Sequence, residues 1–180
     1  MNKKIKRYLS VLVLVLLLLG VTVGYSILTQ GLNITCTSTI KNSTWDVNFA
    51  NVSVASGSVT ATTAPTAPAS GATSMTYVVN LDKPGDYYEF SFDVENKGSV
   101  DAKLNALPKL TGVSTAQDVY TNYTIKHTDN SEIKVNELIT AGNKTNFTVR
   151  VEFDKTITAD QLPATAQTLT LTVDMEYVQP

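Results

Sequence analysis

The side chains best able to do chemistry in this chain are one histidine, one cysteine and a run of carboxylates. His127 is the sole histidine and stands two residues before Asp129, so any Ser-His-Asp site would have to be built on it. A histidine at a strand end beside an acidic turn needs no catalytic role, and His127 reads that way. Cys36 is the only cysteine, which rules out a disulfide within the chain. It could link two chains or carry a lipid, but Asn33-Ile34-Thr35 lacks the small residues expected before a lipidated cysteine. Cys36 shares an alternation phase with Leu32, Ile34 and Ile40, so it is expected to pack inward as a small hydrophobe. That phase also argues against a Cys36–His127 thiol pair. Asp82 and Asp86 flank a turn and could hold calcium together with main-chain carbonyls, yet no loop has EF-hand spacing. Glu89, Asp93 and Glu95 fall on one strand face and read as a solvated face. His-Glu-x-x-His, CxxC and glycine-rich phosphate loops are all missing from the sequence. The expectation is no catalytic residue, no metal ligand and no cofactor.

The carboxylates lie in LDKPGDYYEFSFDVENKGSVDAKL, residues 81–104. Pro84 presets φ for the second position of a turn, and Gly85 supplies the positive φ of a type II turn. Beyond it Tyr88, Phe90, Phe92 and Val94 share one face, with Tyr87, Glu89, Ser91, Asp93 and Glu95 on the other. This is the pattern of a half-buried antiparallel strand. Asn96-Lys97-Gly98 ends it, and residues 100–107 are expected to continue the sheet.

The same period of two recurs along the chain. Residues 31–54 suggest two strands around Lys41-Asn42-Ser43, the second carrying Trp45, Val47 and Phe49 on one face. MTYVVNL (75–81) reads as a strand, and so does YTNYTIKHT (120–128), with Tyr123 and Ile125 in phase. Residues 132–139 fit either a strand or a helical turn. Phe147, Val149, Val151 and Phe153 define one inward face, and Leu169, Leu171, Val173, Met175 and Tyr177 another. ITADQLP between them suggests a short turn. Residues 55–74, rich in Ala, Ser, Thr and Pro, read as a flexible loop with a short strand near Val59. Exposed aromatics are expected at Tyr87 and Tyr120. Asn-x-Ser/Thr triplets begin at Asn33, Asn42, Asn51, Asn122, Asn143 and Asn146, and matter only where a host glycosylates. Eight or nine short strands without a long helical pattern predict an all-β fold, an antiparallel β-sandwich of jelly-roll or immunoglobulin-like type.

An N-terminal hydrophobic helix precedes it. Lys3, Lys4, Lys6 and Arg7 stand before an apolar run from Leu9 to Val23, which is a positive n-region and an h-region. Extended to Leu28, the run could also span a bilayer with its basic end cytoplasmic. Thr22, Gly24 and Ser26 offer small residues for cleavage. Residues 1–28 are therefore expected to be a signal peptide or membrane anchor, and 29–180 the sandwich domain. The first 28 residues hold four of the 14 basic residues and none of the 16 acidic ones. The remainder carries ten basic against 16 acidic residues, a net charge near −6 that disfavours nucleic acid and anionic lipid.

The stretch 81–104 resembles the signature of the TasA/camelysin-like family of exported proteins of Gram-positive bacteria. Leu81, Pro84-Gly85-Asp86, Phe90, Phe92, Val94, Asn96 and Gly98, running into Asp101-Ala102-Lys103-Leu104, carry the likeness together with the leader. The resemblance implies a jelly-roll-like sandwich at the cell surface or in a matrix, and a dedicated signal peptidase as partner. It also implies self-association by strand addition, in which roughly Ile27 to Ile40 completes a neighbour's sheet. Some relatives are described as metalloproteases, and this chain lacks the ligand cluster for that. The functional expectation is a noncatalytic extracellular structural or matrix protein, with a biofilm fibre-type subunit as one form of it. The alternatives are a membrane-anchored adhesion or carbohydrate-binding module and, third, a secreted metallopeptidase.

Overall fold

The computed structural model describes residues 3–28, 42–69 and 71–180. The chain divides into two compact units, Met1–Lys41 and Asn42–Pro180. In the first, α1 spans Lys3–Leu28 and contains a segment, Lys3–Val23, long and apolar enough to cross a membrane. Its leucines and valines from Leu9 to Val23 are all exposed. Ile34, Cys36 and the strand expected around them lie outside the described residues.

The second unit is built of antiparallel strands. In chain order they are β1 (Val47–Gly57), β2 (Ala61–Thr63), β3 (Ser74–Leu81), β4 (Tyr87–Asn96), β5 (Ala102–Leu104) and β6 (Lys109–Thr111). A four-residue helix α2 (Thr115–Asp118) precedes β7 (Thr121–His127), β8 (Leu138–Ile139) and β9 (Lys144–Phe153). A 3-10 turn over Ala159–Gln161 leads to β10 (Gln167–Asp174) and β11 (Tyr177–Val178). One four-stranded sheet runs β1-β4-β9-β7, a second runs β2-β3-β10-β6, and a three-stranded sheet runs β11-β5-β8. Every pairing is antiparallel.

The two larger sheets face each other over one apolar core. The Tyr77 ring on β3 lies 5.0 Å from Phe90 and 5.8 Å from Tyr88, both on β4. Phe92 bridges Phe49 on β1 (4.6 Å) and Phe147 on β9 (5.8 Å). Val47, Phe49, Tyr88, Phe90, Phe92, Val94, Phe147, Val149, Val151, Phe153, Leu169, Leu171, Val173 and Met175 are all buried. Each large side chain so buried is worth roughly 1.5–3 kcal/mol, and this shared interior holds the sheets together.

Several expectations change. Trp45 is 41% exposed, because β1 begins only at Val47. Residues 44–46 run instead along the 97–99 turn, with the Lys97 N–H donating to the Asp46 carbonyl and the Ser99 N–H to that of Thr44. Tyr177 is half-buried. β10 stops at Asp174, and the chain crosses to the small sheet, where Tyr177 pairs with Leu104. For the same reason 102–104 joins β8 and β11 rather than extending the sheet of β4. Within 55–74, the end of β1 and all of β2 are sheet, and Pro65 is buried. Of 132–139 only Leu138–Ile139 is strand. Tyr120 is buried against Phe153 at 5.3 Å rather than exposed.

Candidate functional site

The turn at 83–86 is locked by its own carboxylate. The Asp86 N–H donates to the Lys83 carbonyl at 3.0 Å, and Gly85 has φ +91°, the type II geometry. Asp86 is 4% exposed, and its carboxylate accepts from the main-chain N–H groups of Asp82 and Lys83, both at 3.1 Å. Ser58 Oγ donates to the same carboxylate at 3.3 Å and accepts from the Tyr87 N–H at 2.8 Å. Asp86 thus faces inward, with its lone pairs occupied by N–H and O–H donors. Calcium coordination shared with Asp82 is not the arrangement observed.

Asn96 and Gly98 close the other end of β4. The Asn96 side chain is buried, and its Nδ2 donates to the carbonyls of Val100 (2.8 Å) and Ile139 (3.0 Å). Its Oδ1 accepts from the Gly98 N–H at 3.1 Å. A Cβ on Gly98 would come within 2.5 Å of the Thr44 carbonyl oxygen, so a side chain there would push the first residues of the domain away. Pro84, Gly85, Asp86, Asn96 and Gly98 therefore form two clamps, one at each end of a strand that supplies Phe90, Phe92 and Val94 to the core.

The outer face of β4 is charged but neutralised, which corrects the solvated-face reading. Asp93 is only 4% exposed. Lys144 Nζ on β9 lies 2.7 Å from it, Asn51 Nδ2 on β1 donates at 2.8 Å, and Asn146 Nδ2 donates as well. Its two neighbours on the face are also paired, Glu95 to Lys97 at 3.0 Å and Glu89 to Arg150 at 3.4 Å. Arg150 also binds Glu152 at 2.8 Å and lies 3.7 Å over the Tyr87 ring, so Tyr87 is half-buried. Hydrogen bonds from Arg150 and then Lys155 hold Glu152 below the usual carboxylate range.

His127 lines an open concavity of about 690 Å³ with Asp129, Ser131, Lys144 and Asn146. The imidazole stacks on Phe147 at 4.9 Å, and Nε2 lies 2.9 Å from Glu137 Oε2. Ser131 Oγ donates to Asp129 Oδ1 at 2.6 Å. Hydrogen bonds from the Ser131 side chain and main chain hold Asp129 low, with a smaller pull from His127. The serine is therefore bonded to the carboxylate and the imidazole to another acid, so the nucleophile–base contact of a triad is not formed. Among the described residues, no three His, Cys, Asp or Glu side chains gather to hold a metal.

A feature that the sequence did not reveal is the edge at β7. The Asp154 N–H donates to the Tyr120 carbonyl and the Thr128 N–H to that of Asn146. Even-numbered residues of β7 thus bond β9, and the main-chain groups of Tyr123 and Ile125 point to the open edge. Beside that edge runs a groove of about 320 Å³ lined by Leu107, Pro108, Tyr123, Ile125, Ile133 and others. Leu107 is 54% and Tyr123 43% exposed. The only signal for this in the sequence is Tyr123 and Ile125, in phase on one face of β7. No family model, curated protein or solved structure matches the chain.

Proposed function

We propose that the chain is a noncatalytic extracellular structural protein of a cell surface or matrix, joined to a second copy by strand addition at β7. The observation that carries this reading is the character of the four edges of the two large sheets. β2 and β6 have three residues each. β1 is bulged between Ala50 and Ser53 and between Val54 and Ser56, with Asn51 at φ 51°. Short or bulged edges resist pairing. β7 pairs with β9 over seven residues without a bulge, and its free edge opens on a groove in which Leu107, Pro108, Tyr123, Ile125 and Ile133 stand beside Thr124, Lys126 and Glu132. An extended peptide can add there by main-chain bonding, with alternate side chains entering the groove. The donor implied by the family resemblance, roughly Ile27 to Ile40, lies almost wholly outside the described residues, and signal-peptidase cleavage would free it. Negative-stain imaging of the cleaved protein tests the proposal, with filaments or oligomers as the expected result. Monomers alone, at every pH and concentration, would overturn it.

The apolar segment Lys3–Val23 favours a second reading, a single-pass anchor displaying the domain outside the cell as an adhesion or carbohydrate-binding module. N-terminal sequencing of native protein separates the two. A start within or just after the helix supports release, and an intact leader supports the anchor.

A further inference from the structure

Residues 162–166 read Leu-Pro-Ala-Thr-Ala and connect the 3-10 turn Ala159–Gln161 to β10. All of them are exposed except Pro163, which is half-buried. Leu162 has φ −63° and ψ 133°, an extended polyproline-like backbone. Both ends of the stretch are held. Thr158 donates to Gln161 Oε1 from its N–H at 3.0 Å and from its hydroxyl at 2.9 Å, and Gln167 is in register with Leu81. Among the described residues, no main-chain hydrogen bond ties 162–166 to the rest of the fold. The segment stands beside a cleft of about 350 Å³ that also involves Leu81, Asp82, Pro84 and Phe153. An enzyme that takes up its substrate as an extended segment needs exposed side chains and main-chain groups not tied into the fold, both present here, and the bends at Leu162, Ala164 and Thr165 have to straighten in its cleft.

We propose that 162–166 is a modification site for an extracellular cysteine transpeptidase of the sortase class, the class that recognises Leu-Pro-x-Thr before a small residue. The enzyme thiolate attacks the Thr165 carbonyl carbon, and the Thr165–Ala166 bond breaks. Ala166 departs as a free amine, taking a proton from the enzyme's general acid. A primary amine of an acceptor peptide then attacks the thioester at Thr165, forming a new amide and returning the thiol. The one side-chain contact to the scissile carbonyl among the described residues is Gln167 Nε2 at 2.9 Å, from an amide at the surface end of β10. The fold gives the reaction a distinctive product. β10 remains in register with β3 from Gln167 to Asp174, and its Leu169, Leu171 and Val173 are in the core. Residues 166–180 would therefore stay in place as a noncovalent strand while residues 1–165 become joined to the acceptor. This inference does not depend on strand addition at β7.

The test incubates the full-length chain, in mild detergent, with a sortase first shown to cleave the free peptide Leu-Pro-Ala-Thr-Ala, using biotinylated triglycine as the amine. Mass spectrometry after denaturation is expected to show residues 1–165 ending in triglycine-biotin and a separate fragment 166–180. Thr165→Ala, at an exposed position, is expected to melt as the wild type does and to give neither product. An intact wild-type chain in a reaction that consumes the free peptide would overturn the proposal, as would label that persists in Thr165→Ala.

Discussion

Asp86 shows how much of a turn can rest on one carboxylate. It satisfies two main-chain N–H groups and one hydroxyl from a buried position. Asp86→Ala would leave those donors without an acceptor, and unmet buried donors cost about 1–3 kcal/mol. The expected result is a loss of about 2 kcal/mol in denaturant unfolding at neutral pH with an unchanged m-value. Glu152 carries a different signature. Arg150 and Lys155 depress its folded-state pKa, so its stabilising contribution is present above the unfolded carboxylate pKa and is lost as pH falls through the folded value. Glu152→Gln is therefore expected to be less stable than wild type at pH 7, with the gap closing on acidification below about pH 4.5. Paired melts at several pH values measure it. At this scale residue types are legible in the sequence and their partners are not. Asp93 reads as solvated because its partners, the Lys144 cation and the Asn51 and Asn146 amides, come from strands far away in the chain. Only the register between β1, β4 and β9 brings them to it.

Elements with a long period-two pattern were legible in advance, since one wet face and one dry face leave alternation in the side chains. β4 and β9, ten residues each, are the clearest cases. β5, β8 and β11 were not legible as a separate sheet, because two or three residues carry no period and their sheet is set by tertiary pairing. The crossing at Met175-Glu176 defeated the phase argument for Tyr177 in the same way. Edges are harder still to read, since alternation says which face is buried and nothing about which strand has a neighbour. The edge at β7 leads to a prediction at this scale. Tyr123→Lys places a charge on the open edge at a side chain already 43% exposed, and charged edge residues deter pairing. If strand addition occurs there, the variant should keep its melting temperature and lose assembly in sedimentation velocity. Assembly equal to wild type would move the contact elsewhere.

At the scale of the whole molecule, every core side chain among the described residues lies in the second unit. Its buried apolar side chains run from Val47 to Met175, and none of the described ones comes from residues before Asn42. The leader, by contrast, is a helix of exposed leucines and valines, a surface suited to lipid or to a translocation channel rather than to water. Two solvents are therefore written into one chain, and the division is legible in the sequence through the basic cluster and the apolar run from Leu9 to Val23, interrupted only by Ser10, Gly20 and Thr22. The expected domain starts at residue 29 and the second compact unit at Asn42, and residues 29–41 between them lie outside the described residues. This difference bears on assembly. If the domain is self-sufficient, residues 42–180 should unfold in one cooperative transition at the midpoint of the full chain in detergent, as expected when truncation removes no core contact. The segment 29–41 would then be available to a neighbour at no cost to its own subunit. A midpoint several degrees lower for the truncated form would instead assign 29–41 a strand in its own sandwich, and donating it would have to overcome that loss.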